Sequence, residues 1–336
     1  MVINSQQNKG ARIMSVKEML DNWKLMSLIR EFDLYVKEFA KSDDAVGYLH
    51  TSIGQEASSV GIIKQLRADD WMTSTYRNHS HGVARGLDIY KMVAELLGKR
   101  TGYCKGLGGS MHIADQDINF IGSMGIVAGG IPIATGAAWG SKMKGTDQVA
   151  LCFFGEGAVH QGAFHEGLEF AIKFEAPVLF VCENNLYAES TSSKYHLLHE
   201  STIGYVDHFD IKAIKVDGND FEAVEAAAKE CFDWMRKNKK PAFIESMTYK
   251  LSGQYEGDTE TYKSAEEIEY WKSRDPLKSY KARILETDPS VEPQFELFEK
   301  ENRQHIIDAF ERASKDPFPT IDDMHDAVYF EEGARA

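Results

Sequence analysis

Apolar residues recur at Leu20, Trp23, Leu25, Met26, Ile29, Phe32 and Val36, the spacing of one face of an α-helix. Ser15 and Glu18 stand three apart just ahead of this run and fit a capping box, in which hydroxyl and carboxylate each satisfy an orphan N–H. The pattern predicts a long amphipathic helix over residues 16–40. Glycine-rich loops alternating with helices are expected through residues 45–145, where residues 130–136 (GIPIATG) lead into Ala137, Ala138 and Gly140. Such small residues let a helix pack closely on a neighbour. The clearest unit follows. Residues 148–154 (QVALCFF) and 177–182 (PVLFVC) are continuous apolar runs, as expected of strands covered on both faces. Between them Ala163, Phe164, Gly167, Leu168, Ala171 and Ile172 keep a helical period. Strand, helix and strand predict a right-handed crossover between parallel strands. A further such unit reads as strand 211–216, helix 221–236 and strand 242–248. A second capping-box match at Ser264–Glu267 opens a helix, residues 276–315 read as helical and charged, and signals are weak from Pro317 onward.

The pattern therefore predicts an α/β fold with a mostly parallel sheet flanked by helices and helical extensions at both ends. The 336 residues divide on this reading into a polar lead-in (1–14), one domain (15–316) and a tail (317–336). A net charge of −14 argues against nucleic acid as a partner, because such proteins present a basic face. No apolar run reaches the roughly 18 residues of a membrane span, and the first residues, MVINSQQNKGARIM, hold no apolar core of a secretory signal. A cytoplasmic protein is expected. Cys104, Cys152, Cys182 and Cys231 form no CxxC pair, which disfavours a zinc site or a disulfide framework.

Charge and composition leave the chemistry open; two strand ends do not. Glu156 follows the first apolar strand, within Gly155-Glu156-Gly157-Ala158, and Asn185 follows the second, within Glu183-Asn184-Asn185. In parallel α/β sheets, ligands bind outside the carboxyl ends of the strands, so both side chains face one crevice. A carboxylate and a carboxamide oxygen suit magnesium, which takes one or two protein side chains plus substrate phosphates. The N–H groups of Gly157 and Ala158 could meet a phosphate. Either segment alone also reads as an ordinary turn; their pairing across one crossover is what points to a ligand.

The run Gly-acid-Gly-Ala, an interval of strand and helix size, then Asn-Asn resembles the thiamin diphosphate motif. Residues 50–57 (HTSIGQEA), 75–86 (TYRNHSHGVARG), 102–115 (GYCKGLGGSMHIAD) and 125–137 (GIVAGGIPIATGA) extend the resemblance over residues 15–315, to the alpha subunits of thiamin-dependent 2-oxoacid and acetoin dehydrogenases. It implies the thiamin-diphosphate-binding fold. It implies that Glu156, Asn185 and the main-chain oxygen of Tyr187 bind Mg2+, that Tyr76, Arg77, Gly157 and Ala158 contact the diphosphate, and that Gly125 and Val127 meet the aminopyrimidine. His79 would face the substrate side. It also implies a partner beta subunit that supplies the activating Glu in an α2β2 heterotetramer, and a lipoyl acyltransferase that receives the acyl group.

The chain departs from the family twice. Glu156 stands where Asp is usual. In the loop after residues 242–248, Ser252 and Gln254 occupy positions where the family has or can have histidines, and neither carries a proton near neutral pH as histidine does. The continuation Glu256-Gly257-Asp258 resembles acetoin-type members. Three readings follow: oxidative acyl transfer to lipoamide, with Ser252 and Gln254 in the catalytic loop; non-oxidative transfer of a two-carbon unit to an aldehyde or ketone; and a subunit without catalysis that has kept the fold.

Overall fold

A computed structural model describes residues 14–45 and 47–328. The lead-in expected at residues 1–14 lies outside these residues except for Met14. Six parallel strands form the sheet: β1 (Trp71–Thr75), β2 (Phe120–Met124), β3 (Ala150–Gly155), β4 (Val178–Asn184), β7 (Lys212–Asp217) and β8 (Ala242–Met247). Their order is β2-β1-β3-β4-β8-β7. The short strands β5 (Tyr187–Ala188) and β6 (Thr191–Ser192) make a separate hairpin beyond β4. The helices are α1 (Val16–Phe39), α2 (Glu56–Ile63), α3 (His79–Arg85), α4 (Ile89–Leu96), α5 (Gly130–Met143), α6 (Gly162–Lys173), α7 (Ser193–His196), α8 (Phe221–Asn238), α9 (Ala265–Ser273), α10 (Pro276–Thr287), α11 (Glu292–Ala313) and α12 (Ile321–Val328).

The central strands β3 and β4 are buried on both faces. Leu151, Phe153, Leu179 and Val181 point into one apolar cluster with α1, α2 and α8, whereas Ala150, Cys152, Phe154, Phe180 and Cys182 point into another with α5 and α6. This accounts for the continuous apolar runs read in the sequence. On α6, a Cβ at Gly167 would stand 2.7 Å from Ile131 Cγ2, so the glycine sets how closely α5 and α6 approach. The capping box at Ser15 is complete: Glu18 N–H donates to Ser15 Oγ (3.3 Å) and Ser15 N–H to Glu18 Oε2 (3.0 Å). At Ser264 only half of it forms, because Glu267 Oε2 accepts from Tyr187 Oη instead (3.0 Å).

From Pro317 onward the chain gives weak sequence signals but contains α12. It is joined to the body where Arg100 N–H donates to the Pro317 carbonyl (2.9 Å) and the Arg100 guanidinium meets Asp323. Among the described residues, no helix is long and apolar enough to cross a membrane.

Because β2 and β3 lie on opposite sides of β1, the chain reverses its direction of winding there. A crevice opens at the carboxyl ends of strands at such a reversal.

Candidate active site

A cleft of about 290 Å³ occupies that crevice. Tyr76 and Arg77 reach it from the end of β1, Val127 from beyond β2, Glu156, Gly157 and Ala158 from beyond β3, Asn185 from beyond β4, Tyr187 from β5, and Lys250 and Gln254 from beyond β8.

Glu156 is 1 % exposed. Its Oε2 accepts from the Asn185 backbone N–H (3.3 Å), which couples the two strand ends. The Asn185 amide donates through Nδ2 to Gln55 Oε1 (3.0 Å), which turns Oδ1 the other way. Glu156 Oε1 and Asn185 Oδ1 are both buried without a hydrogen bond among the described residues; His196 Nε2 stands 3.9 Å from Glu156 Oε1, beyond hydrogen-bond reach. Buried acceptors normally find partners. Two such oxygens lining one cleft fit a hard cation, and the Tyr187 carbonyl retains a second lone pair beside the one that accepts from Lys250 Nζ (2.8 Å). Among the described residues there is no cluster of three or more His, Cys, Asp or Glu suited to a metal, so a cation here would take a mixed set of carboxylate, amide and carbonyl oxygens. Asn184, the other asparagine of the pair, is structural: its amide donates to the buried Glu245 (2.8 Å).

The anion side is built from cations. Arg77 is buried, and burial lowers its pKa. It donates to the Thr51 carbonyl and to the Gln254 carbonyl and amide oxygens (2.8 and 3.3 Å). Gln254 Nε2 donates to Tyr76 Oη (3.0 Å). Lys250 donates to Gln254 Oε1 (2.6 Å). Burial, with Arg77 nearby, pushes the Lys250 ammonium down to about 7. The loop that carries Lys250 and Gln254 is pinned by the buried Lys263, which donates to the Lys250 and Ser252 carbonyls (2.9 and 2.8 Å), and by Asp258, which accepts from Gln254 N–H (2.7 Å). On Gly157, a Cβ would stand 2.7 Å from Ala188 Cβ, so that backbone can approach a ligand only as glycine. Gly125 lies between the cleft-lining Met124 and Ile126 and is backed by His112, whose Nε2 a Cβ would meet at 2.8 Å.

Two residues lie behind the cleft: His79, expected on the substrate side, and Ser252, expected in the catalytic loop. His79 opens α3, and its ring turns toward α1: Nδ1 pairs with Asp33 Oδ1 (2.6 Å) and Nε2 with Ser110 Oγ (2.7 Å), both fully engaged in the interior. Ser252 is buried against α1, where its Oγ accepts from Lys37 Nζ (3.0 Å). Lys250 was not singled out from the sequence. The signal that marks it is its place three residues past β8, at the sheet edge where ligands bind.

His50 packs on the Tyr76 ring (4.6 Å between centroids), and its Nδ1 has no partner among the described residues. Burial, followed by the Arg77 charge, pushes its pKa down to about 3. A histidine with a depressed folded pKa binds fewer protons folded than unfolded, so stability falls as pH drops from 6.5 toward 3. We expect this group to cost the protein a few kcal/mol across that window. In His50→Phe, which keeps the stack on Tyr76, the unfolding free energy should fall less between pH 7 and pH 4 than in the unmodified protein. Parallel curves for the two would show that His50 does not carry the effect.

Residues 24–322 match the family described as dehydrogenase E1 component. The chain is 40 % identical over 313 residues to the alpha subunit of acetoin:2,6-dichlorophenolindophenol oxidoreductase from Bacillus subtilis, covering 91 % of this chain and 92 % of that one. It is 34 % identical over 330 residues to the subunit of the same name from Cupriavidus necator (98 % and 99 % covered). It is 33 % identical over 315 residues to the pyruvate dehydrogenase E1 component subunit alpha of Rickettsia bellii (93 % and 96 %).

Proposed function

This chain belongs to the dehydrogenase E1 component family, and on that premise we propose that it is the alpha subunit of a two-chain enzyme dependent on thiamin diphosphate and magnesium, which cleaves acetoin or a 2-oxoacid and passes the acyl unit to lipoamide on a partner acyltransferase. The observation that carries the reading is the pair of buried oxygens without a hydrogen bond among the described residues, Glu156 Oε1 and Asn185 Oδ1, in a cleft that also holds Arg77 and Lys250.

Glu156, Asn185 and the Tyr187 carbonyl would hold the magnesium ion. Tyr76, Arg77 and the backbone of Gly157 and Ala158 would take the diphosphate, for which the forked guanidinium is suited. Gly125 and Val127 would border the aminopyrimidine. When bound, thiamin diphosphate supplies the electron sink for cleaving the bond beside a carbonyl. The chain's own task is to fix that group and keep water from its charged end. His79, held by Asp33 and Ser110, stiffens the turn that presents Tyr76 and Arg77, and Ser252 anchors the loop that presents Gln254. The activating glutamate belongs to the partner beta subunit, in an α2β2 assembly whose active site lies between chains.

Gln254 favours a second reading. An amide at this cleft position cannot shuttle a proton as an imidazole does, which suits transfer of the two-carbon unit to an aldehyde or ketone acceptor without oxidation. The assembled enzyme, supplied with acetoin or pyruvate, should reduce an artificial electron acceptor and acylate a lipoyl domain. Carbon–carbon bond formation from pyruvate plus an aldehyde, with no redox turnover, would replace the first reading by the second.

A further inference from the structure

We propose that Lys250 is a direct ligand of the cofactor's diphosphate and that Gln254 is the positioning residue that aims it. The inference rests on the function proposed above and extends it to Lys250, to which the family resemblance gave no role.

Lys250 is 2 % exposed and lines the cleft together with Arg77, which is 5 % exposed. As ammonium and guanidinium, the two donate their hydrogen bonds to neutral oxygens: the Tyr187, Thr51 and Gln254 carbonyls and the Gln254 amide. Glu156 and Asp258 act on the Lys250 charge, and Asp33 and Glu183 on that of Arg77, without hydrogen bonding to them; an anion that bonds both directly would complete the site. An ammonium has three N–H donors, and Lys250 spends two of them, on Tyr187 and Gln254. The third remains for a ligand in the cleft.

The same geometry explains the amide at residue 254. Gln254 Oε1 accepts from Lys250 and from Arg77 at once, while Nε2 donates to Tyr76 Oη. One carbonyl oxygen with two lone pairs can gather two cations. A neutral imidazole offers a single acceptor nitrogen and an imidazolium offers none. Gln254 thus ties Lys250, Arg77 and Tyr76 into one array at one end of the cleft, and Lys263 and Asp258 hold the loop from behind.

Calorimetric titration of the complex with its partner subunit, in magnesium and without substrate, tests this. Thiamin diphosphate, unphosphorylated thiamin and inorganic pyrophosphate as competitor are the probes. Lys250→Met should weaken thiamin diphosphate and pyrophosphate by about 10- to 100-fold, the range of a hydrogen bond to a charged group, and leave thiamin unchanged. Lys250→Arg should restore most of the loss. Gln254→His should weaken both phosphate probes several-fold with Lys250 still in place. Equal weakening of thiamin and thiamin diphosphate in Lys250→Met, or no change in either, would overturn the proposal and leave Lys250 a pin for its loop. Melting curves of the variants separate these outcomes from failure to fold. If the unmodified complex binds none of the probes, the proposed function falls and takes this inference with it.

Discussion

Glu156→Ala should abolish magnesium-dependent binding of thiamin diphosphate while leaving the cofactor-free protein as stable as before, or more so. Both halves follow from one side chain. Glu156 is 1 % exposed, and its Oε1 has no hydrogen bond among the described residues, with only His196 Nε2 facing it at 3.9 Å. Its other oxygen takes a single 3.3 Å hydrogen bond from Asn185 N–H. A buried carboxylate so poorly satisfied adds little to folding and costs desolvation. In the loaded protein the same oxygen would be a direct ligand. Loss even of groups that only support a metal's ligands costs about 10- to 100-fold in affinity, so loss of a ligand should cost at least about 100-fold. Thermal unfolding reads both effects together: cofactor plus magnesium should raise the melting temperature of the unmodified protein and not that of the variant, because a ligand stabilises only what it binds. Glu156→Asp, which restores the family's usual residue with a shorter reach, should keep a measurable shift. A variant that binds as tightly as the original would remove Glu156 from the metal site and with it the main support for the proposed function.

That Glu156 and Asn185 share a crevice was legible in the sequence because strands β3 and β4 are buried on both faces and end at glycine or asparagine turns. The apolar runs show the strands, and parallel pairing puts their ends side by side. β1 and β2 were not legible. Their residues WMTST and FIGSM are short and mix apolar with hydroxyl groups, yet Met72, Thr73 and Ser74 are all buried. The hydroxyls bury because they find partners: Thr73 Oγ1 donates to the Gly130 carbonyl, 57 residues on (3.2 Å), and Ser74 Oγ pairs with His81 on α3 (2.7 Å). Nothing near Thr73 in the sequence signals its partner, and the His81 pairing forms only once α3 folds back over the end of β1. Lys250 hid for a similar reason. A lysine read in isolation is a solvated charge, and its burial depends on a loop closed by Lys263 and Asp258, eight and more residues away. His79 shows the converse. Its neighbours Tyr76 and Arg77 line the cleft, but the helix that starts at His79 rotates the ring toward α1. Sequence proximity placed it one layer too far forward.

That inner layer carries the second large effect. Asp33→Ala should destabilise the protein by about 3–5 kcal/mol, the cost of stranding partners of a buried carboxylate. Asp33 is fully buried and serves three donors: His79 Nδ1 at 2.6 Å through Oδ1, and Ser52 N–H and Oγ–H, both at 2.6 Å, through Oδ2. Alanine leaves all three unpaired and opens a polar void. Asp33→Asn should cost far less, about 1 kcal/mol, the scale of one altered neutral hydrogen bond. The amide oxygen can still accept both donors from Ser52, and the amide N–H can donate to His79 Nδ1 once the ring proton moves to Nε2 and points at Ser110 Oγ. The contrast between the two variants tests whether hydrogen bonding, rather than charge, holds the layer. Denaturant unfolding of the cofactor-free protein measures it; similar losses for alanine and asparagine would mean that the negative charge itself is required. The site should follow. Ser52 adjoins Thr51, whose carbonyl accepts from Arg77, so loosening Ser52 frees the Arg77 guanidinium to swing. Asp33→Ala should therefore weaken pyrophosphate binding as well as stability, and Asp33→Asn should leave binding close to its original value.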